Sequence, residues 1–383
     1  MKPVQRAAWG TWTANEKQAY LRELSLPKGF SLLRMETFER YGQQLETGVF
    51  AYQDSEFVFI PGDRLTLGWE GGIDRMDAPT RTDLQEGLEA LEMTLEDAPG
   101  LLQQQMSPVR EASIGPMLVE RRTRSVSWEE TTLDELEELG EDEEDLKADL
   151  AQFLDSTYNA YERHETHRFS RTDDGVRIEL FWTSDDYADW AESNLEEGFA
   201  ILTEDEWEYI YGCGSRTLFP WGDSFDYTMK VRHLGELDRA GSDANAMNGD
   251  ASSDESAVDG EGASGGEGAA DDAAITSAGG GLGAADVTDA SGGEGEPERP
   301  YDLELPGAFG LHFLGDPYQW ELTVSADGIV RGKGGDGGSA LCGGMGVLLG
   351  YLPVATYFRD RYSAELDWPE QIGHMHYRRI VRL

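Results

Sequence analysis

A segment of low complexity, residues 240–300, divides this sequence and constrains what the chain can fold into. It consists almost entirely of Gly, Ala, Ser, Asp and Glu, and it contains no aromatic residue and no Lys. It contains fourteen acidic residues and a single basic residue, Arg299. Such a composition cannot bury enough apolar surface to offset the entropy lost on ordering. We therefore predict a long, disordered, self-repelling loop between two folded parts of the chain.

The net charge argues against several classes of partner. The 383 residues include 75 acidic and 31 basic side chains, which gives a formal charge of −44. Nucleic acid and anionic membrane surfaces would repel such a chain, so neither is an expected partner. Only 6 of the basic residues are Lys, which fits either a halophilic, salt-adapted protein or GC-rich coding.

The cysteine content and the N-terminal sequence indicate the cellular compartment in which we expect the protein. Two cysteines, Cys213 and Cys342, are too few for a secreted disulfide scaffold. The N-terminal residues lack the apolar run of a signal peptide, and no stretch approaches the ~20 apolar residues of a membrane span. We expect a reduced, cytoplasmic protein.

Hydrophobic spacing in the first third favours helices, then strands. Residues 1–55 are predicted to form an N-terminal helical segment, with helices over 16–24 and 32–45. Apolar runs at 56–60 and 64–68, on either side of a Pro-Gly-Asp turn, predict two short strands.

The next stretch is rich in acidic residues, and its sequence predicts helices. Leucines recurring over 80–106 predict one amphipathic helix, and those over 127–163 predict one or two helices with a strongly acidic outer face. Residues 176–182 alternate like a strand, and 183–186 predict the start of a helix with a hydroxyl cap.

A capping box marks the start of a further helix. Thr203 and Glu206 have the spacing at which each side chain bonds the other's backbone amide. The helix is predicted to run over 204–211 and to end at Gly212 and Gly214, which accept left-handed geometry.

Two linked motifs in this region resemble the formylglycine-generating-enzyme family, also called sulfatase-modifying factors. Residues 201–223 read ILTEDEWEYIYGCGSRTLFPWGD. The residues that match the family's motifs are Leu202, Thr203, Glu204, Glu206, Trp207, Glu208, Tyr209, Phe219, Pro220, Trp221, Gly222 and Asp223. Further matches lie at 182–190, 309–311, 315–320 and 377–382, and weaker matches lie at 57–62 and 67–68.

The resemblance implies an α+β, C-type-lectin-like fold. The domain would be built from residues 56–239 and 301–383, with an acidic helical insertion at about 73–175 that carries none of the family's motifs. Relatives bind calcium where Asp316 and Glu321 fall, although Gln319 replaces a glutamate expected there. Calcium is therefore the cofactor that the resemblance suggests.

The resemblance also implies a catalytic segment, Gly338-Ser339-Ala340-Leu341-Cys342. In the family's oxidases this segment supplies the first of two cysteines that hold copper(I), and the enzyme oxidises a cysteine of a sulfatase to formylglycine. Ser339 and Cys342 match, but the second cysteine, five residues on, is Val347 here. One thiolate is a poor site for this soft ion, so a copper cofactor is doubtful.

Two functions follow as hypotheses. The first is a formylglycine-generating-enzyme-like protein, acting on a protein or peptide substrate, whose oxidase activity is altered or lost. The second is a non-catalytic module that holds a peptide or partner in the same groove. For Cys342 itself, the alternative to a catalytic thiol is a small buried apolar residue.

Histidines offer weaker candidate metal sites. His164 and His167 lack the spacing of a zinc-binding helix and are expected in a charged loop. His374 and His376 alternate on a predicted strand, where they could face one side together with His312.

Overall fold

A six-stranded antiparallel sheet, assembled from distant parts of the chain, organises this mixed α+β protein. The structure is a computed structural model, and it describes residues 3–133, 136, 144–172, 175–234, 299–325, 328–360 and 367–383. Along the sheet, the strands follow the order β1 (Ser31–Arg40), β2 (Gln43–Tyr52), β3 (Ser55–Ile60), β6 (Met117–Glu120), β16 (Arg379–Arg382) and β12 (Ala200–Ile201).

The first two strands correct a prediction. Residues 32–45, expected to be helical, form most of the β1–β2 hairpin, so residues 1–55 are not a helical segment. The two-residue turn places Tyr41 and Gly42 at φ 51° and 71°. Both angles are those of a hairpin turn whose twist matches the strands. The predicted helix over 16–24 is present as Ala14–Arg22.

Three smaller sheets complete the strand structure. Two have four strands, in the orders β8-β11-β10-β9 and β14-β13-β15-β7, and one pairs β4 with β5. Their strands are β4 (Asp63–Leu67), β5 (Arg110–Ile114), β7 (Arg124–Ser125), β8 (Trp128–Thr131), β9 (Ala160–Arg163), β10 (His167–Thr172), β11 (Gly175–Phe181), β13 (Trp320–Val324), β14 (Val330–Lys333) and β15 (Met375–Tyr377). The predicted strands at 56–60, 64–68 and 176–182 are thus present as β3, β4 and β11.

Helices pack on the sheets and connect them. In the described part of the chain they are α1 (Arg6–Trp9), α2 (Ala14–Arg22), α3 (Ala78–Ala90), α4 (Ala98–Gln104), α5 (Glu144–Asp155), α6 (Tyr187–Asn194), α7 (Glu204–Gly212), α8 (Ser339–Cys342), α9 (Gly346–Gly350) and α10 (Trp368–Gln371). Short 3-10 turns occur at Ile73–Arg75, Asp302–Glu304, Leu352–Val354 and Ile372–His374.

Two helix predictions in the acidic stretch need correction. The single helix expected over 80–106 is two helices, α3 and α4, because the chain turns at Glu92, whose φ is 57°. The stretch 127–163 contains α5 between two strands, β8 and β9, instead of helices alone. Leu146, Leu150 and Phe153 of α5 are buried against β10 and β11, so the helical spacing was real but covered only part of the stretch.

Helix caps follow the sequence closely around α7. The capping box of Thr203 and Glu206 is present, with both reciprocal hydrogen bonds. The residue that ends α7 in left-handed geometry is Cys213, at φ 52°, with Gly214 following at 79°. At α6 the cap is the Asp186 carboxylate and not a hydroxyl.

The two flanks of the low-complexity segment meet. Residues 240–298 of the predicted loop lie outside the described residues. On either side, the Lys230 backbone N–H donates to the Asp302 carboxylate at 2.7 Å, and the Asp302 N–H donates to the Lys230 carbonyl at 2.9 Å. The Lys230 ammonium reaches the Arg299 carbonyl at 2.7 Å. The segment therefore leaves and rejoins the fold at one place.

None of the helices in the described residues combines the length and the apolar character needed to span a bilayer.

Candidate functional site

The predicted catalytic segment lies on a tight glycine turn. Gly337 and Gly338 have φ angles of 72° and 79°, and α8 begins directly after them. A Cβ on Gly338 would lie 2.3 Å from the ring of Tyr318, so the ring packs directly on the backbone of the turn. The motif at 315–320 and the motif at 338–342 are thereby brought into contact.

The thiol of Cys342 is exposed and has a partner. Its sulfur lies 3.0 Å from the hydroxyl oxygen of Tyr318, and either atom can donate the hydrogen bond. This hydrogen bond is the main cause that raises the pKa of Tyr318 to about 12, with burial adding to it. Ser339 is exposed on the same short helix. The alternative expectation, that Cys342 is a buried apolar residue, is wrong.

Tyr318 is held in place by the buried carboxylate of Asp316. One carboxylate oxygen of Asp316 accepts a hydrogen bond from the Tyr318 backbone N–H at 2.9 Å and lies 2.7 Å from Nε2 of His233. The His233 and Tyr318 rings are 4.8 Å apart. Burial alone would raise the pKa of Asp316, but these hydrogen bonds outweigh it and lower the pKa.

A second carboxylate, that of Asp336, contacts the backbone of α8. One oxygen of Asp336 accepts a hydrogen bond from the Ala340 N–H at 3.0 Å. The other oxygen is buried and has no hydrogen-bond partner among the described residues. Burial raises the pKa of Asp336 to about 6, and the nearby charge of Asp360 acts in the same direction.

No second thiol accompanies Cys342. Val347 lies partly buried in the first turn of α9. The other cysteine, Cys213, is buried at the end of α7, where its sulfur lies 3.6 Å from the Ile210 carbonyl. Burial raises the pKa of Cys213 to about 12, so this thiol stays protonated at neutral pH. The cysteine and serine present do not fit a two-thiolate copper site.

The carboxylates predicted to bind calcium have protein partners. Glu321 accepts hydrogen bonds from Nε and Nη2 of Arg378 at 2.7 and 3.2 Å, and both side chains are buried. Asp316 is engaged by His233 and Tyr318 as described. In the part of the chain that the structure describes, no three His, Cys, Asp or Glu side chains form a group suited to a metal ion. Calcium binding stays a prediction.

The histidine candidates lie on different structural elements and have different surroundings. His374 is exposed at the end of a 3-10 turn, not on the strand, whereas His376 lies on β15, where burial lowers its pKa to about 4. Nδ1 of His312 lies 3.1 Å from the Glu304 carbonyl oxygen. His167 is buried on β10, with Nε2 3.1 Å from Asp149, while His164 is exposed.

A separate pocket opens near the end of α7. Its lining includes four aromatic side chains, Tyr41, Tyr211, Trp221 and Phe313, and Cys213 also lines it. Cys342 does not line this pocket.

Three residues of the Cys342 site were not predicted as site residues. Tyr318 lies inside the recognised 315–320 motif, so the motif itself was the signal for it. Asp336 is the nearest acidic residue before the Gly-Ser-x-x-Cys segment, which is a weak signal. His233 precedes the low-complexity segment, and nothing in the sequence links it to Asp316.

Comparison with known proteins identifies no relative. No family model matches the chain, no curated protein matches it, and no solved structure matches it.

Proposed function

We propose that this chain carries a diverged formylglycine-generating-enzyme-like domain of C-type-lectin-like fold, with an oxidase activity that is altered or lost. The observation that carries the proposal is the contact between two motifs of the resemblance. The Cys342 sulfur, at the end of the glycine-serine-x-x-cysteine segment, lies 3.0 Å from the Tyr318 hydroxyl of the 315–320 motif.

The arrangement can perform part of the family's chemistry. The Cys342 thiol is exposed, so a substrate can reach it, and the Tyr318 hydroxyl beside it gives it a hydrogen-bond partner. Copper(I) oxidation would need a second soft ligand, and Val347 supplies none. We therefore infer that Cys342 acts as a lone thiol toward a protein or peptide substrate.

The experiment measures copper(I) binding and peptide oxidation by the same preparation. We expect weak copper(I) binding, and no formylglycine when a cysteine-containing sulfatase peptide is incubated with protein, copper and oxygen. Robust oxidation of that peptide, lost in Cys342→Ser, would contradict the inferred loss of oxidase activity.

The alternative is a non-catalytic module that holds a peptide or partner. The valine at position 347 favours it. Peptide affinity separates the two ideas when the cysteine peptide is compared with its serine version. Equal affinity, unchanged by Cys342→Ser, would favour the binding module, whereas a preference for the cysteine peptide that depends on Cys342 would favour a thiol role.

A further inference from the structure

The segment after Cys342 needs an external support, because its own sequence is conformationally free. Three of the four residues from Gly343 to Gly346 are glycines, and Gly344 and Gly346 have φ angles of 67° and 86°. Glycine loses more backbone entropy on ordering than any other residue. A single conformation between Cys342 and Val347 therefore requires contacts from elsewhere in the fold.

Besides two local backbone hydrogen bonds, from Gly343 to Ser339 and from Gly344 to Leu341, the segment is held at its end by one carboxylate on α3. One oxygen of Asp83 accepts a hydrogen bond from the Val347 N–H at 3.2 Å, and the other accepts from the Leu348 N–H at 2.7 Å. The second oxygen also accepts from the Tyr227 hydroxyl at 2.7 Å. Burial, followed by this hydrogen bond to the Asp83 carboxylate, raises the pKa of Tyr227, so its hydroxyl stays a donor.

The helix around Asp83 fits closely against the same segment. A Cβ on Gly87 would lie 2.1 Å from the Met345 carbonyl oxygen, and one on Gly346 would lie 2.4 Å from an oxygen of Asp83. Leu84 and Leu88 of α3 are fully buried in the core that includes Leu348 and Leu349. The carboxylate is thus delivered by a rigid, well-packed element.

We propose that Asp83 is a positioning residue for the Cys342 site, which fixes the backbone of residues 343–348 and hence the place of position 347 relative to the Cys342 sulfur. The proposal rests on the proposed function only in taking Cys342 as the reactive group. It assigns a role to α3, which lies in the stretch without recognisable motifs.

Two measurements test the proposal. In the full chain, hydrogen exchange of the amides in peptide 343–349 should rise about tenfold in Asp83→Ala, and exchange in β2 and β3 should not change. Glu86→Ala removes an exposed carboxylate from the same helix and should have no effect.

The second measurement uses copper(I) alone as a probe of geometry in the Val347→Cys background. Adding Asp83→Ala should weaken copper(I) binding about tenfold, because the two thiols lose their fixed separation, and Asp83→Asn should recover part of the loss. A loss of global stability would not by itself change the affinity of the folded protein.

The outcomes are distinguishable. If Val347→Cys does not bind copper(I) more tightly than the unmodified protein, the result counts against the proposed function. Hydrogen exchange alone then tests the positioning role of Asp83. Unchanged exchange and unchanged copper affinity in Asp83→Ala would overturn the positioning role. If Asp83→Ala does not fold, Tyr227→Phe removes one of the three hydrogen bonds and should shift both readouts in the same direction by about two- to threefold; no shift would count against the proposal.

Discussion

Tyr318 and Cys342 lie within hydrogen-bonding distance, with 3.0 Å between the hydroxyl oxygen and the sulfur, although they are 24 residues apart in the sequence. The thiol in this contact is exposed, whereas the Cys213 thiol is buried at the end of α7. The two cysteines should therefore differ sharply in reactivity.

The first prediction concerns alkylation of the two thiols. In the native protein at neutral pH, iodoacetamide should modify Cys342 roughly a hundredfold faster than Cys213, because burial keeps Cys213 protonated and inaccessible. Peptide mass spectrometry after timed quenching measures both rates. Tyr318→Phe should slow the reaction at Cys342 and leave Cys213 unchanged. Comparable rates in the folded protein would be inconsistent with the structure.

The second prediction restores the missing ligand. Val347→Cys should tighten copper(I) binding by about tenfold or more, which is about 1.4 kcal/mol, because a soft ion gains a second thiolate. Competition with a chromogenic copper(I) chelator measures the affinity. Val347→Ser adds a polar group of similar size without a soft donor and should show no gain. Equal affinities for the Cys and Ser variants would argue against the resemblance at this position.

The third prediction concerns the buried pair of Glu321 and Arg378. Glu321→Gln leaves the fully buried guanidinium without its counter-ion and should cost about 3–5 kcal/mol of unfolding free energy. Asp145→Asn, in the exposed pair with Arg163, should cost less than about 1 kcal/mol. The denaturant titrations are run both with calcium and with a chelator, because the predicted calcium site includes Glu321. A calcium-dependent stabilisation that disappears in Glu321→Gln would instead assign Glu321 to a calcium site.

The fourth prediction concerns the low-complexity segment. Because Lys230 and Asp302 join its two flanks, replacing residues 240–298 by a short Gly-Ser linker should change the melting temperature by only a few degrees. Limited proteolysis of the full chain should cut within 240–298 and leave two fragments that stay associated. Fragments that separate without denaturant would contradict this organisation. Asp302→Ala, which removes the junction, should lower stability by about 1 kcal/mol or more.

The fifth prediction concerns pH. The ordinary pKa of an Asp carboxyl is 3.8, and burial raises that of Asp336 to about 6. Between these values the folded protein binds more protons than the unfolded chain, so this group lowers stability as the pH rises from about 4 to about 6. Asp336→Asn should remove that part of the pH dependence and raise the unfolding free energy at neutral pH by about 1–2 kcal/mol. Thermal unfolding measured across this pH range tests the prediction, and Asp185→Asn, at an exposed carboxylate, is the control. An unchanged slope in Asp336→Asn would show that the carboxyl is not perturbed.

Local signals in the sequence predicted local structure well. The capping box of Thr203 and Glu206 fixed the start of α7, and alternation identified β11. The β1–β2 hairpin was missed because its turn is Tyr41-Gly42, and an aromatic residue at positive φ gives no turn signal. The leucines on either side then matched a helical period by coincidence.

Only part of the candidate site could be predicted from the sequence, because sequence signals are local. Ser339 and Cys342 stand in one short motif, and the sequence alone identifies them. Their surroundings depend on contacts between distant segments, such as His233 with Asp316 across the low-complexity segment, and Asp83 with Val347 across 264 residues. No spacing rule reports such pairs, so they had to be observed.

The place of β16 in the main sheet has a consequence for synthesis. β16 lies between β6 and β12, and its partner residues on β6, Met117–Val119, are made more than 250 residues earlier. The edge of β6 therefore stays open on the ribosome while the intervening chain is translated. Contacts between segments so far apart form slowly, and an unpaired strand edge invites association with other chains. The acidic charge of the nascent chain would keep neighbouring copies apart during that interval.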